Sequence, residues 1–147
     1  MKDISIGKVF LAGILYTIVA QIVHSIGAAL SMKYYLIEKY FPVWSKLMMP
    51  SAGPPPASFM MYSIAFGLIG GILISLVYGV IKDGIPGDTL ANKGLVYGLL
   101  LFLVAGIPGS LALTLLINLP AMLIVVWAVE GLIIYLLNGM IIAKINP

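Results

Sequence analysis

Between Ser58 and Lys82 the chain reads SFMMYSIAFGLIGGILISLVYGVIK, with no charged residue inside those two ends. A run this long and this apolar crosses a bilayer as one helix. Along it Ser63, Gly67, Gly71, Ser75 and Gly79 recur every fourth residue, which lines small residues along one side of a helix. Lipid offers apolar surface nothing to flee from, so helices associate there by close van der Waals approach, and small residues permit it. This helix is therefore expected to be the packing centre of a bundle.

Three further runs match it. The crossings fall at about 9–32, 58–81, 94–117 and 121–143, joined by a long connection at 33–57 and two short turns. The expected fold is all-α: a polytopic four-transmembrane-helix bundle forming a single domain, with an amphipathic interfacial segment after the first helix. Composition agrees, because 62% hydrophobic and 9% charged residues with a mean hydropathy of +1.15 leave too little polar surface to cover a soluble core.

The basic balance, a net charge of +3, comes entirely from lysines. They sit at the ends of apolar runs, where they suit lipid phosphates rather than nucleic acid. Arginine, the residue of bidentate phosphate recognition, is missing from the sequence, and so is cysteine. That excludes disulfides, thiolate metal sites and a cysteine nucleophile.

The opening Met1–Lys8 carries Lys2, Asp3 and Lys8, and the apolar run after it is too long for a signal peptide. In the long connection, Leu36, Ile37, Tyr40, Phe41, Trp44 and Leu47 share one helical side, with Glu38, Lys39 and Lys46 off it. Pro42 is expected to break this element in two, and Gly53–Pro56 to form a stiff extended piece. The aromatics Tyr34, Tyr35, Tyr40, Phe41 and Trp44 suit the headgroup layer, with a partner contact as the alternative. Ser58 is a candidate cap for the second crossing, and Asp88 or Thr89 for the third. Pro86-Gly87 suits a tight turn. Pro108 should kink the third crossing and free the carbonyl of Val104. Pro120, closing the hairpin Asn118-Leu119-Pro120, suits a first helical turn. The third crossing carries its own ladder through Gly94, Gly98, Gly106, Ser110 and Thr114. Spacing of four residues favours right-handed crossings.

Four crossings place both termini on one side, with Lys2, Lys8, Lys82, Lys93 and Lys144. Lys33, Lys39 and Lys46 lie on the other. The excess favours cytoplasmic termini, and the expected location is a prokaryotic cytoplasmic membrane. The first and third crossings align without gaps, Gly13 over Gly94 and Tyr16 over Tyr97. The second and fourth align with Gly71 over Gly131. Chance similarity and a tandem hairpin repeat, 9–81 and 94–143, are both open readings.

Two ionisable groups lie deep in the crossings, His24 and Glu130. Inserting a carboxylate at mid-membrane costs roughly 2.5–3.5 kcal/mol, so it should be paired, protonated or facing a wet cavity. At about 1.5 Å per residue His24 lies about 14 Å from Lys33, and Glu130 about 15 Å from Pro120 on the same face. The two therefore share a depth, with Gln21 one turn from His24 and Trp127 one turn from Glu130. The functional reading is a proton- or cation-handling pair, or a polar spot for a headgroup. The structural reading is a buried hydrogen bond that sets the register of the first and fourth crossings, and a third is that either residue meets a different protein chain.

No serine has an evident base and oxyanion partner, and no carboxylate cluster suggests a metal. No cofactor is expected; the lone histidine cannot supply two axial haem ligands from one chain, and although a dimer with two His24 side chains or a His/Met pair could, nothing in the sequence demands it. Three functions remain. A non-catalytic scaffold or accessory subunit, self-associating or joining a larger membrane complex, asks least of the residues. A small oligomeric transporter or channel using His24 and Glu130 is the alternative. A lipid- or quinone-linked enzyme is the third.

Overall fold

The computed structural model describes residues 5–51 and 54–147, so Lys2, Asp3 and Gly53 lie outside the described residues. Among these residues all regular structure is helical, without a strand. Helix α1 spans Ile6–Tyr35 and α2 spans Ala57–Ile81. Helix α3, Leu90–Leu101, runs through a π-helical turn at Phe102–Gly106 into α4, Ile107–Leu116. Helix α5 spans Ala121–Ile145. Four stretches are long and apolar enough to cross a membrane: Ile6–Tyr35, Ala57–Gly84, Leu90–Leu116 and Ala121–Ile145.

The centre of the bundle is α5, not α2. Helix α5 packs between α1 and α3, whereas α2 packs chiefly on α1 and barely touches α5. Accordingly α2 buries only Gly71, Ser75 and Tyr78, while α5 buries residues from Leu123 to Ala143. Small residues every fourth position mark a face that admits one close neighbour. They do not say how many neighbours a helix has.

That face of α2 lies against α1. A Cβ on Gly71 would sit 2.7 Å from Tyr16 Cβ and 2.9 Å from Gly13 Cα, and one on Gly67 would sit 3.2 Å from Thr17 Cγ2. Ser63 pairs with Gln21, and Ser75 accepts a hydrogen bond from Asn146 Nδ2 at 3.2 Å. Gly79 is half-buried. The corresponding face of α3 meets α5 backbone. A Cβ on Gly94 would lie 2.5 Å from Gly139 O, and one on Gly98 would lie 2.8 Å from Leu136 Cα. Gly106 makes no such approach; its nearest neighbour is Phe102 of its own helix, 2.9 Å from a Cβ to Cε2. The two hairpins also pack in different registers. Gly13 meets Gly71, but its aligned counterpart Gly94 meets Gly139, and Gly131 has no neighbour within 4 Å of a Cβ.

At the end holding both termini the helices converge on a core of Ala12, Tyr78, Ile85, Tyr97, Ile142 and Ala143. Tyr97 Oη donates to the Ile74 carbonyl at 2.6 Å, and the Tyr78 and Tyr97 rings meet edge to face at 5.1 Å. Lys82 Nζ caps the carbonyls of Asn146 and Pro147. At the opposite end α2 leans away from α5 and leaves space between them.

Several local expectations are corrected. The first helix begins at Ile6 and continues through Lys33 and Tyr34 to Tyr35. After it the connection forms only a six-residue 3-10 helix, Glu38–Val43, with Pro42 inside it rather than breaking it. Pro42 lacks the N–H that an α-helix would need there, and a 3-10 turn loses less by its absence. Tyr35 and Trp44 stack on each other, with ring centroids 5.3 Å apart. Ser58 does not cap α2; Pro56 holds the cap position and makes no side-chain bond. Thr89 does cap α3, accepting from Asn92 N at 3.1 Å. Pro108 falls in the first turn of α4, and the helix accommodates it by the preceding π-helical turn, where Ile107 N bonds Phe102 O. Pro120 is the cap residue of α5, one place before its first turn.

Candidate functional site

Where α2 leans away, a cavity of about 550 Å³ opens between α1, α2 and α5. That volume suits a drug-sized molecule. Its deep end holds the polar residues Gln21, His24 and Ser25 of α1, Ser63 of α2 and Glu130 of α5. Its walls are Ala28, Met32, Tyr35, Leu36, Phe59, Met60 and Trp127, and Met48, Met49 and Pro55 of the connection close the other end.

His24 and Glu130 come together: His24 Nδ1 lies 2.7 Å from Glu130 Oε2. Antiparallel α1 and α5, with both groups at one depth, make this contact possible. Glu130 is almost fully buried, at 7% side-chain exposure, whereas His24 is 53% exposed toward the open side. Nδ1 and Oε2 share one hydrogen bond, whose donor depends on the imidazole tautomer, and Nε2 is left for another partner. Gln21 turns to α2 instead, its Nε2 donating to Ser63 Oγ at 2.7 Å.

Gly27 makes room for the carboxylate. A Cβ there would coincide with Glu130 Oε1 and lie 2.9 Å from Cγ. The glycine is three residues from His24, so both present to α5 from neighbouring positions of α1. Ser31, one turn further on, returns its hydroxyl to the Gly27 carbonyl at 2.6 Å. Glu130 Oε1 is left buried without a partner. On the outer side of the α1–α5 seam a second groove also reaches Gly27 and Glu130.

Trp127 belongs to the cavity's upper wall. Its Nε1 donates to Tyr35 Oη at 2.6 Å. Tyr35 stacks on Trp44 at 5.3 Å, and Trp44 meets Trp127 edge to face at 6.2 Å. This triad ties the connection after α1 to the start of α5. Pro108 and Gly106, by contrast, lie in the α3–α4 stretch and line no part of the cavity.

Two residues were not singled out from sequence. Gly27 looked like one of many glycines, although its place one turn from His24 was a usable signal. Asn138 is the other. It is 1% exposed, and neither side-chain polar atom has a partner. An amide in the middle of an apolar run was legible, but its burial was not.

Chemically, the arrangement can accept hydrogen bonds, hold negative charge and pass a proton between a carboxylate and an imidazole. It lacks the parts of covalent catalysis: Ser63 is engaged with Gln21, and Ser25 adjoins His24 in sequence, so the two side chains point apart on the helix. Among the described residues, no group of three His, Asp or Glu could hold a metal. No family model, curated protein or solved structure matches this chain.

Proposed function

We propose that this chain is an integral membrane protein that binds an amphipathic small molecule within the bilayer, with His24 and Glu130 as the polar end of its site. The observation that supports this is the cavity of about 550 Å³ with apolar walls and one ionisable pair at its deep end. A pair serving only to set helix register needs no adjoining space. Here the same pair borders room for a ligand, and one ring nitrogen is left for it. The reading joins the headgroup role of His24 and Glu130 to the transporter alternative, in which the same site would take up the molecule that is carried.

The test is native mass spectrometry of protein purified in a mild detergent, beside the cavity-filling variant Ala28→Phe and the variant His24→Ala. The expected result is a small-molecule adduct on the native protein that both variants lose. If the native protein carries no adduct, and amphipathic compounds leave its unfolding temperature in nanodiscs unchanged, the reading fails.

One surface favours the scaffold reading as well. Gly109 of α4 is exposed and has no neighbour within 4 Å of a Cβ. This face is open to a second copy or another subunit. Because the chain has no cysteine, Gly109→Cys gives a clean disulfide cross-linking test in native membranes. Absence of any cross-linked species at this position removes that interface.

A further inference from the structure

We propose that the molecule bound in this cavity is an uncharged long-chain alcohol or ketone that lies inverted in its leaflet, with its head at the bilayer centre and its chain toward the interface. The inference rests on the binding role proposed above and adds the ligand's head group, its orientation and its way in.

Depth is the first argument. Along their helices His24 lies about 14 Å from Lys33 and Glu130 about 15 Å from Pro120, which is half of a hydrocarbon core about 30 Å thick. The polar side chains of Gln21, Ser25 and Ser63 gather toward that level. Above them the walls are apolar, and Met48, Met49 and Pro55 close the interface end. A bilayer lipid runs the other way, polar at the interface and apolar at the centre. A ligand that matches this cavity is therefore inverted.

Exposure is the second. The His24 side chain is 53% exposed, and Ser25 is exposed beside it. The seams of α1 with α2 and of α1 with α5 are packed, and no residue of α3 or α4 lines the cavity. The opening is thus the gap between α2 and α5, which at this depth faces hydrocarbon. Acyl tails form no hydrogen bonds, so an imidazole and a hydroxyl laid bare to them are costly. A polar head that arrives sideways through the gap satisfies both.

The chemistry of the head is the third. His24 Nδ1 is engaged with Glu130, and Nε2 is left for another partner. Gln21 gives one N–H to Ser63 and keeps a second N–H and its carbonyl oxygen, while the hydroxyls of Ser25 and Ser63 can donate. With donors and acceptors both at hand, a hydroxyl or a carbonyl head is satisfied. No lysine lines the cavity to meet a phosphate or a carboxylate. A head of either charge would also have to pass through the hydrocarbon centre, where ions are least stable.

The experiment uses hexadecanol in two dibrominated forms, one with its bromines beside the hydroxyl and one with them at the far end of the chain. Each is titrated into the full-length protein in zwitterionic lipid vesicles. The readout is quenching of Trp127 and Trp44, the two tryptophans of the chain, which meet at the connection's end of the cavity. The Ala28→Phe variant, its cavity filled, gives the quenching due to alcohol dissolved in the lipid. Saturation alone separates bound from dissolved alcohol if that variant does not fold. In lipid the hydroxyl sits at the interface, so the near-end bromines lie closer to the two rings. In the cavity the order reverses: the saturable loss of fluorescence should come from the far-end form, and the near-end form should add little to the background. Hexadecyl phosphate and hexadecylamine, brominated at the far end, should give no saturable quenching. Saturable quenching by the near-end form as strong as that by the far-end form overturns the inverted orientation. Saturable quenching by the phosphate or the amine overturns the uncharged head. Either result leaves the binding role intact. No saturable quenching by any of the four counts against the binding role itself, and the assignment falls with it.

Discussion

Gly27→Ala is the sharpest perturbation the fold offers. The added methyl would occupy the place of Glu130 Oε1 and come within 2.9 Å of Glu130 Cγ. The obstacle is the end of a flexible side chain, so helices α1 and α5 need not separate; the carboxylate moves instead. Moving it breaks the 2.7 Å bond to His24 Nδ1. A hydrogen bond to a charged group contributes about 1.5–3 kcal/mol. Replacing glycine by alanine within a helix returns up to about 1 kcal/mol. The net loss of stability should therefore be about 0.5–2 kcal/mol. Two controls frame this value. Gly70→Ala meets nothing within 4 Å and should be neutral or slightly stabilising. Gly94→Ala places its methyl 2.5 Å from both Gly139 O and Met140 Cα. Backbone cannot swing aside, so α3 and α5 must part, and overpacking of this kind costs about 1–3 kcal/mol or more. Denaturant titration in mixed micelles, followed by circular dichroism, should place both Gly27→Ala and Gly94→Ala below Gly70→Ala in stability. The native protein and Gly27→Ala should also differ in ligand binding far more than in stability. If Gly27→Ala behaves like Gly70→Ala in both measurements, Glu130 is not seated against α1 and the site's geometry is wrong.

Three other outcomes follow from single contacts. Trp127→Phe removes the 2.6 Å bond to Tyr35 Oη, a loss of about 1 kcal/mol; the connection after α1 should loosen, read as faster protease cleavage between 36 and 56, and an unchanged cleavage rate would show that the aromatic triad does not hold it. Asn138→Leu replaces a buried amide whose two polar atoms have no partner, so it should be neutral or stabilising by about 1–2 kcal/mol; strong destabilisation would mean that the amide is bonded after all. Gly87→Ala puts a side chain on a residue at φ +147°, with a Cβ 2.7 Å from Lys93 N. A cost of about 1–3 kcal/mol is expected in the same unfolding assay, and no cost would show that the turn is not held in this conformation.

Helix number, helix limits to within a few residues, and the shared depth of His24 and Glu130 were all legible in the sequence. Each depends on distance along one helix: length against bilayer thickness, or rise per residue against depth. The cap at Thr89 and the turn at Gly87 are equally local. What tertiary structure alone decided was which helices touch. The ladder from Ser63 to Gly79 identified a close-packing face, but α5 rather than α2 became the centre, because neighbour choice depends on how all the faces fit together at once. The cavity belongs to the same class of fact. It exists because α2 follows α1 and leaves α5 at one end, a relation between three rods that no single run of residues encodes. Gly27 takes its meaning only there, since a missing side chain matters when another side chain fills its place.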